Sequence, residues 1–210
     1  MEKVSETIAK QLLQIKAIKL QPTNPFTWAS GWNSPIYCDN RKTLSFPEVR
    51  DYIKSEFVAL VNELYPEADA IAGVATGAIA QGALVADALK KPFVYVRSSP
   101  KGHGMENLIE GDIAPGKKVV VIEDLISTGG SSLKAVEALR KAGCEVLGMA
   151  AIFTYGFQTA VDNFTVKEVK LNTLSDYQTL IEVAAQTGYV STDDVKTLSS
   201  WRNDPAHWGK

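Results

Sequence analysis

Val119-Val120-Val121-Ile122-Glu123-Asp124-Leu125-Ile126-Ser127-Thr128-Gly129-Gly130-Ser131-Ser132 is the stretch on which the reading of this chain turns. It opens with four β-branched apolar residues in a row. Such a run fits a strand buried on both faces, as in the middle of a parallel sheet. Two carboxylates follow at its C-terminal end, where open α/β sheets hold their ligands. A turn rich in Ser, Thr and Gly comes next. Leu133, Val136 and Leu139 then recur at helical spacing up to Gly143, which suits a helix stop. The unit reads as strand, acidic pair, hydroxyl and glycine loop, helix.

Such a loop suits a phosphate. Glycines let the backbone approach closely and turn its N–H groups inward. A helix N-terminus adds unpaired N–H groups and a partial positive charge. Ser127, Thr128 and Ser131 can donate hydroxyl hydrogen bonds. The loop lacks the Lys of a Walker A motif, so a nucleoside triphosphate is not its natural ligand. Glu123 and Asp124 would repel a phosphate; sugar hydroxyls or a divalent cation are better partners for them. A phosphate beside a polyol describes a ribose 5-phosphate. Taken from its glycines alone, the loop is equally an ordinary βα turn with a Ser cap.

Working outward, the 210 residues suit one α/β domain with an elaboration, or at most two small domains. A net charge of -2 and the absence of a basic block give nucleic-acid binding no electrostatic support. No apolar run approaches the ~20 residues of a membrane span. The N-terminus carries no signal-peptide core. Cys38 and Cys144 show neither metal-ligand spacing nor a disulfide framework, so a reducing cytoplasm is expected.

Val4, Ile8, Leu12 and Ile15 predict an N-terminal helix. A polar stretch runs to Asn24. Residues 25–41 then read as strands or loops around turns at Ser30-Gly31 and Ser34-Pro35. Their aromatics could cover a ligand or pack a small subdomain, and composition favours packing. Pro47 leads a helix through Val49, Ile53, Phe57, Leu60 and Val61. Residues 68–74 predict a second strand. It ends in the loop Ala75-Thr76-Gly77 before a helix of small residues reaching Leu89, so a second anion site is plausible. Phe93-Val94-Tyr95-Val96 predicts a third strand. Residues 97–111, dense in Gly and polar groups, predict a long loop; Arg97, Lys101 and His103 within it could close over a polyanion as a lid. Residues 145–153 predict a fourth strand and 167–171 an edge strand. Helices are expected over 175–186 and 192–201. This alternation argues for a mostly parallel sheet with right-handed crossovers.

The pieces together resemble the type I phosphoribosyltransferases, and among them the orotate phosphoribosyltransferases, along most of the chain. The resemblance is carried by the 119–132 stretch, by Phe26-Thr27-Trp28-Ala29-Ser30-Gly31 with Ser34-Pro35-Ile36-Tyr37, and by Arg97, Lys101, His103 and Gly104 in order. It implies one phosphoribosyltransferase domain over 1–210: a mostly parallel sheet flanked by helices, with residues 20–45 forming a small hood over the base site. It implies transfer of the phosphoribosyl group from phosphoribosyl pyrophosphate to orotate, giving orotidine 5′-monophosphate and pyrophosphate with Mg²⁺ as cofactor. It implies a homodimer whose 97–111 loop is shared across the interface, small-molecule substrates, and neither nucleic acid nor membrane as a partner.

By the same resemblance Lys101, His103 and Asp124 are the catalytic residues, and no side chain is assigned as a standing metal ligand. Arg97, Lys101 and His103 contact the pyrophosphate. Glu123 and Asp124 hold the ribose hydroxyls. Leu125, Ile126, Ser127, Thr128, Gly129, Gly130 and Ser131 form the phosphate cradle. Phe26, Thr27 and Ser127 face orotate, and Ala75, Thr76 and Gly77 form the pyrophosphate loop. Ala29, Ser98 and Tyr155 stand where other members carry cations, which leaves more of the diphosphate charge to Lys101, Arg97 and Mg²⁺. A purine phosphoribosyltransferase would need a different hood. A non-catalytic regulator would need a basic face that the charge balance does not offer.

Overall fold

The computed structural model describes residues 3–28, 31–99 and 108–208. Helix α1 (Val4–Gln14) buries Ile8, Ala9, Leu12 and Leu13, whereas Val4 stays exposed at its first turn. Four short strands follow: β1 (Ile18–Leu20), β2 (Phe26–Thr27), β3 (Asn33–Ser34) and β4 (Ile36–Cys38). β1 pairs antiparallel with β4, and β2 with β3, so the described strands of this region form two small ribbons. β1 lies inside the stretch read as polar; only three residues carry it, with Ile18 and Leu20 inward. A 3-10 turn (Asn40–Ser45) leads to α2 (Pro47–Leu64), which Pro47 starts and whose Val49, Ile53, Phe57 and Val61 are buried.

Among the described residues, the remaining elements form one six-stranded sheet and its flanking helices. They are β5 (Ala70–Val74), α3 (Ile79–Leu89), β6 (Phe93–Val96), β7 (Ile109–Glu110), β8 (Lys118–Ile126), α4 (Gly130–Lys141), β9 (Glu145–Thr154), α5 (Gln158–Val166), β10 (Leu171–Asp176), α6 (Tyr177–Gln186) and α7 (Thr192–Asn203). The strand order is β10-β9-β8-β5-β6-β7, parallel throughout except for β7, which runs antiparallel to β6. The fold is the α/β class expected from the sequence.

Apolar side chains of β8 are divided between two cores, alternating from Val119 to Ile122. Val120 and Ile122 join the core under α1, α2, α3, α6 and α7. Val119, Val121 and Ile126 join the core under α4 and α5. Both faces are covered, which is why the run is continuously apolar. Burying each such side chain contributes roughly 1.5–3 kcal/mol.

Several boundaries differ from the sequence reading. β8 continues through Glu123 and Asp124 to Ile126, because β9 keeps pairing with it as far as Thr154. The edge strand is Leu171–Asp176, not 167–171, and α6 starts two residues later than expected because Asp176 caps it by accepting from the Thr179 N–H. Helix α5 has no counterpart in the sequence reading.

Candidate active site

β5 and β8 are neighbours, but the chain leaves them toward opposite edges of the sheet. β5 is followed by β6 on one side, and β8 by β9 and β10 on the other. A crevice opens at the carboxyl ends of such a pair. The candidate residues of both loops meet there. After β5, Ala75-Thr76-Gly77 turns sharply through a cis peptide between Ala75 and Thr76. The Asp124 carboxylate lies directly on Gly77, where a Cβ would come within 2.7 Å of Oδ1 and closer still to Oδ2. The loop after β5 and the acidic pair are therefore in contact.

The two carboxylates have different surroundings. Glu123 is 4% exposed. It accepts from the Ser132 hydroxyl at 2.7 Å and from the Asp124 N–H at 2.9 Å. Burial, and then the neighbouring Asp124 charge, push its pKa up to about 8. Asp124 is half-buried. Burial raises it too, opposed by its hydrogen bond with Glu123 and by the Arg41 guanidinium. Glu123 thus faces into the fold, and Asp124 is the carboxylate that reaches the crevice.

The hydroxyl loop begins at Ser127 and ends in α4. Gly129 is the N-cap, with φ +79. A side chain there would be strained, and its Cβ would fall 2.6 Å from the Phe164 ring. The first N–H groups of α4, from Gly130 on, have no partner within the helix and point out of its end. Asn163 on α5 donates to the Thr128 carbonyl at 2.9 Å and fixes the back of the loop. Ile126 is buried by its side chain; its carbonyl accepts from the Tyr155 N–H and the Thr154 hydroxyl.

Two cavities gather candidate residues at this edge. One, of about 410 Å³, is lined by Thr27, Trp28, Tyr37, Cys38, Leu125, Ser127 and Tyr155. It brings Thr27 of the hood and Ser127, at the start of the hydroxyl loop, to one place. Phe26 stands behind it, its ring 5.7 Å from that of Tyr37. The hood aromatics therefore both pack and line a cavity. Burial pushes the Cys38 thiol and the Tyr155 hydroxyl well up, so both are neutral. The other, of about 130 Å³, is lined by Val74, Ala75, Val96, Arg97, Ser98, Ser131, Lys134 and Ala135. It unites Ala75, Arg97 and Ser131 from three candidate segments. Arg97 also pairs with Glu110 at 3.4 Å. A larger cavity, of about 460 Å³, lies along the outer side of α4 toward Lys141, with no aromatic wall.

Lys101, His103 and Ala29 lie outside the described residues. Three contributors escaped the sequence reading. Lys134 was hidden among solvated helix charges. Asn40 donates its amide to the Asp124 carbonyl at 2.6 Å. Arg202 reaches the carbonyls of Tyr155 and Gly156 from the far end of the chain. His207 pairs with Asp204 in the exposed tail, as a structural histidine would. Among the described residues no group of three or more His, Cys, Asp or Glu could hold a metal ion. No helix described is long and apolar enough to cross a membrane.

The chain is similar to known proteins in both sequence and fold. The model of the phosphoribosyl transferase domain matches residues 49–191. The orotate phosphoribosyltransferase of Bacteroides thetaiotaomicron is 63% identical over 208 residues, 99% of this chain and 98% of the relative. That of Porphyromonas gingivalis is 63% identical over 209 residues and covers 100% of both. Among solved structures, the orotate phosphoribosyltransferase from Aeropyrum pernix superimposes with a TM-score of 0.77 at 29% identity, over 88% of this chain and 99% of that one. Leishmania donovani UMP synthase gives 0.78 at 25% identity, over 94% of this chain and 42% of that one. Identity of 63% over nearly the whole length of these relatives, together with the matching domain model, shows the family: the chain belongs to the orotate phosphoribosyltransferases.

Proposed function

We propose a division of labour within this site. The chain is an enzyme of pyrimidine biosynthesis. It transfers the 5-phosphoribosyl group from phosphoribosyl pyrophosphate to orotate, giving orotidine 5′-monophosphate and pyrophosphate. The observation that carries the assignment of parts is the Asp124 carboxylate, seated on Gly77 of the pyrophosphate loop and beside a cavity that ends at Ser127.

In our reading the 5′-phosphate sits on the N–H groups and hydroxyls of Ser127 to Ser131, at the start of α4. Asp124 accepts from the ribose hydroxyls, and Glu123 supports Asp124 from below. Orotate occupies the cavity between Trp28, Tyr37 and Tyr155, with Thr27 and Ser127 offering hydroxyls to its polar edge. The diphosphate lies along Ala75, Thr76 and Gly77, with Arg97 and Lys134 as cations beside it. Lys101 and His103, farther along the 97–111 loop, complete its neutralisation across the interface of a homodimer.

Catalysis is displacement at the anomeric carbon. The bond from that carbon to the diphosphate oxygen breaks as the bond to the orotate nitrogen forms, and positive charge grows on the ribose ring. Asp124 lies where it can stabilise that charge. Orotate arrives as an anion, so no strong base is needed. Mg²⁺ would be held by the substrate phosphates and one or two carboxylates, as is usual for this ion. A lone reaching carboxylate at Asp124 fits that pattern. When bound, the ion supplies charge neutralisation on the departing diphosphate. Both cysteines are free thiols, which supports a reducing, cytoplasmic setting.

The test is direct. Pure protein is mixed with Mg²⁺, phosphoribosyl pyrophosphate and either orotate or a panel of purines. Loss of orotate absorbance with pyrophosphate release is expected; release with a purine and not with orotate would overturn the assignment.

A further inference from the structure

The wall of the base cavity is held from behind by the C-terminal helix. β9 ends at Thr154, and the chain then turns through Tyr155 and Gly156, which has φ +65. The turn is tied on one side to the end of β8. The Tyr155 N–H donates to the Ile126 carbonyl at 3.1 Å, the Thr154 hydroxyl donates to the same oxygen at 3.3 Å, and the Gly156 N–H donates to the Thr154 hydroxyl at 3.0 Å. On the other side it is tied to α7. Arg202 donates from Nε to the Tyr155 carbonyl at 3.1 Å and from Nη2 to the Gly156 carbonyl at 2.9 Å. One guanidinium fork thus spans two consecutive carbonyls.

The neighbouring residue completes the support. Trp201 is fully buried. Its ring lies 5.7 Å from that of Tyr155 and 5.5 Å from that of Trp28, and Trp28 and Tyr155 are themselves 5.4 Å apart. Trp28 and Tyr155 both line the base cavity. Two adjacent residues of α7 therefore fix one wall, Trp201 through the rings and Arg202 through the backbone. A Cβ on Gly156 would lie 2.9 Å from Arg202 Nη2, so the guanidinium is packed closely onto the turn.

We propose that Arg202 is the positioning residue of the base pocket: its fork on the Tyr155 and Gly156 carbonyls sets the Tyr155 wall against which orotate binds. It acts through Tyr155 and does not line the cavity itself. The inference rests on the base-pocket assignment above. A planar fork with two donors at fixed spacing fits this task, and an ammonium does not.

The test uses the full chain and three variants, Arg202→Gln, Arg202→Lys and Tyr37→Ala, with KM measured separately for orotate and for phosphoribosyl pyrophosphate. In Arg202→Gln the orotate KM should rise about tenfold or more, the scale of one displaced contact, while the phosphoribosyl pyrophosphate KM stays within about twofold. Arg202→Lys should recover only part of the loss. Should the Gln variant fail to fold, the Lys variant is read by the same KM comparison. A lower melting temperature or active fraction with both KM values unchanged would make Arg202 merely structural and overturn the proposal. Tyr37→Ala separates the two assignments. If it raises the orotate KM and the Arg202 variants do not, only this inference fails. If none of the three does, the pocket assignment fails and the inference with it.

Discussion

The Asp124 carboxylate rests on the backbone of Gly77, although 47 residues separate them in the chain. The contact joins the loop after β5 to the end of β8, across the point where the sheet changes direction. A side chain at position 77 would occupy the carboxylate's place. Gly77→Ala should therefore displace Asp124 and leave the cores intact. Misplacing a reacting group by about 1 Å can cost roughly 10²-fold in rate. A fall of about that size in kcat/KM is expected, with the melting temperature little changed. Steady-state kinetics beside thermal unfolding checks this; a fully active Gly77→Ala enzyme would count against the role given to Asp124.

Glu123 gives the free enzyme a characteristic pH dependence. Below its ordinary value of 4.5 the group is neutral in both the folded and the unfolded chain. Between 4.5 and about 8 the unfolded chain releases the proton and the folded chain keeps it. Stability should fall as pH rises across that window. Asp124, also raised by burial, adds a contribution of the same sign. Thermal unfolding of the ligand-free protein across this range should show the decline, and Glu123→Gln should flatten it. The same slope in the variant would show that Glu123 is not its source.

Asn40 should tolerate loss of its side chain better than a change of its charge. Its amide donates to the Asp124 carbonyl at 2.6 Å, and its own oxygen lies 3.3 Å from the Cys38 sulfur. Asn40→Ala leaves a carbonyl short of a donor, at a cost of about 1–3 kcal/mol. Asn40→Asp sets a buried carboxylate against that carbonyl and near Asp124, so it should cost more. Chemical denaturation of both variants gives the order directly; equal stability would show that the Asn40 contact matters little.

Lys101 is expected to act mainly in the transition state, as diphosphate charge develops. Removing one charge-assisted contact of that kind typically costs ~10²–10³ in rate. Lys101→Ala should lose turnover by about that factor and keep its fold by circular dichroism. Near-normal turnover would end the role assigned to this lysine.

Much of this architecture is legible locally. The run Val119 to Ile122 announces a strand covered on both faces, and β8 has side chains in both cores. Gly143 announces the end of α4 and adopts φ +84 just beyond it. Pro47 announces the start of α2. What escaped depends on partners distant in sequence. The acidic pair Glu123-Asp124 reads as the end of the strand, yet pairing with β9 carries β8 on to Ile126. β1 is too short to stand out, and only β4 makes it a strand. Asn40 meets Asp124 across 84 residues and Arg202 meets Tyr155 across 47, separations at which no periodicity or motif carries a signal. The hydroxyl loop reads as a phosphate site from its own residues, whereas Asn163, which braces it, sits on a helix that the sequence does not reveal.

The most direct measurement is a crystal structure of the protein with orotidine 5′-monophosphate. The phosphate should lie on the Ser127 to Ser131 backbone, the ribose hydroxyls against Asp124, and the base between Trp28, Tyr37 and Tyr155. A nucleotide bound elsewhere, with that backbone bend empty and Asp124 making no contact to the sugar, would contradict the account.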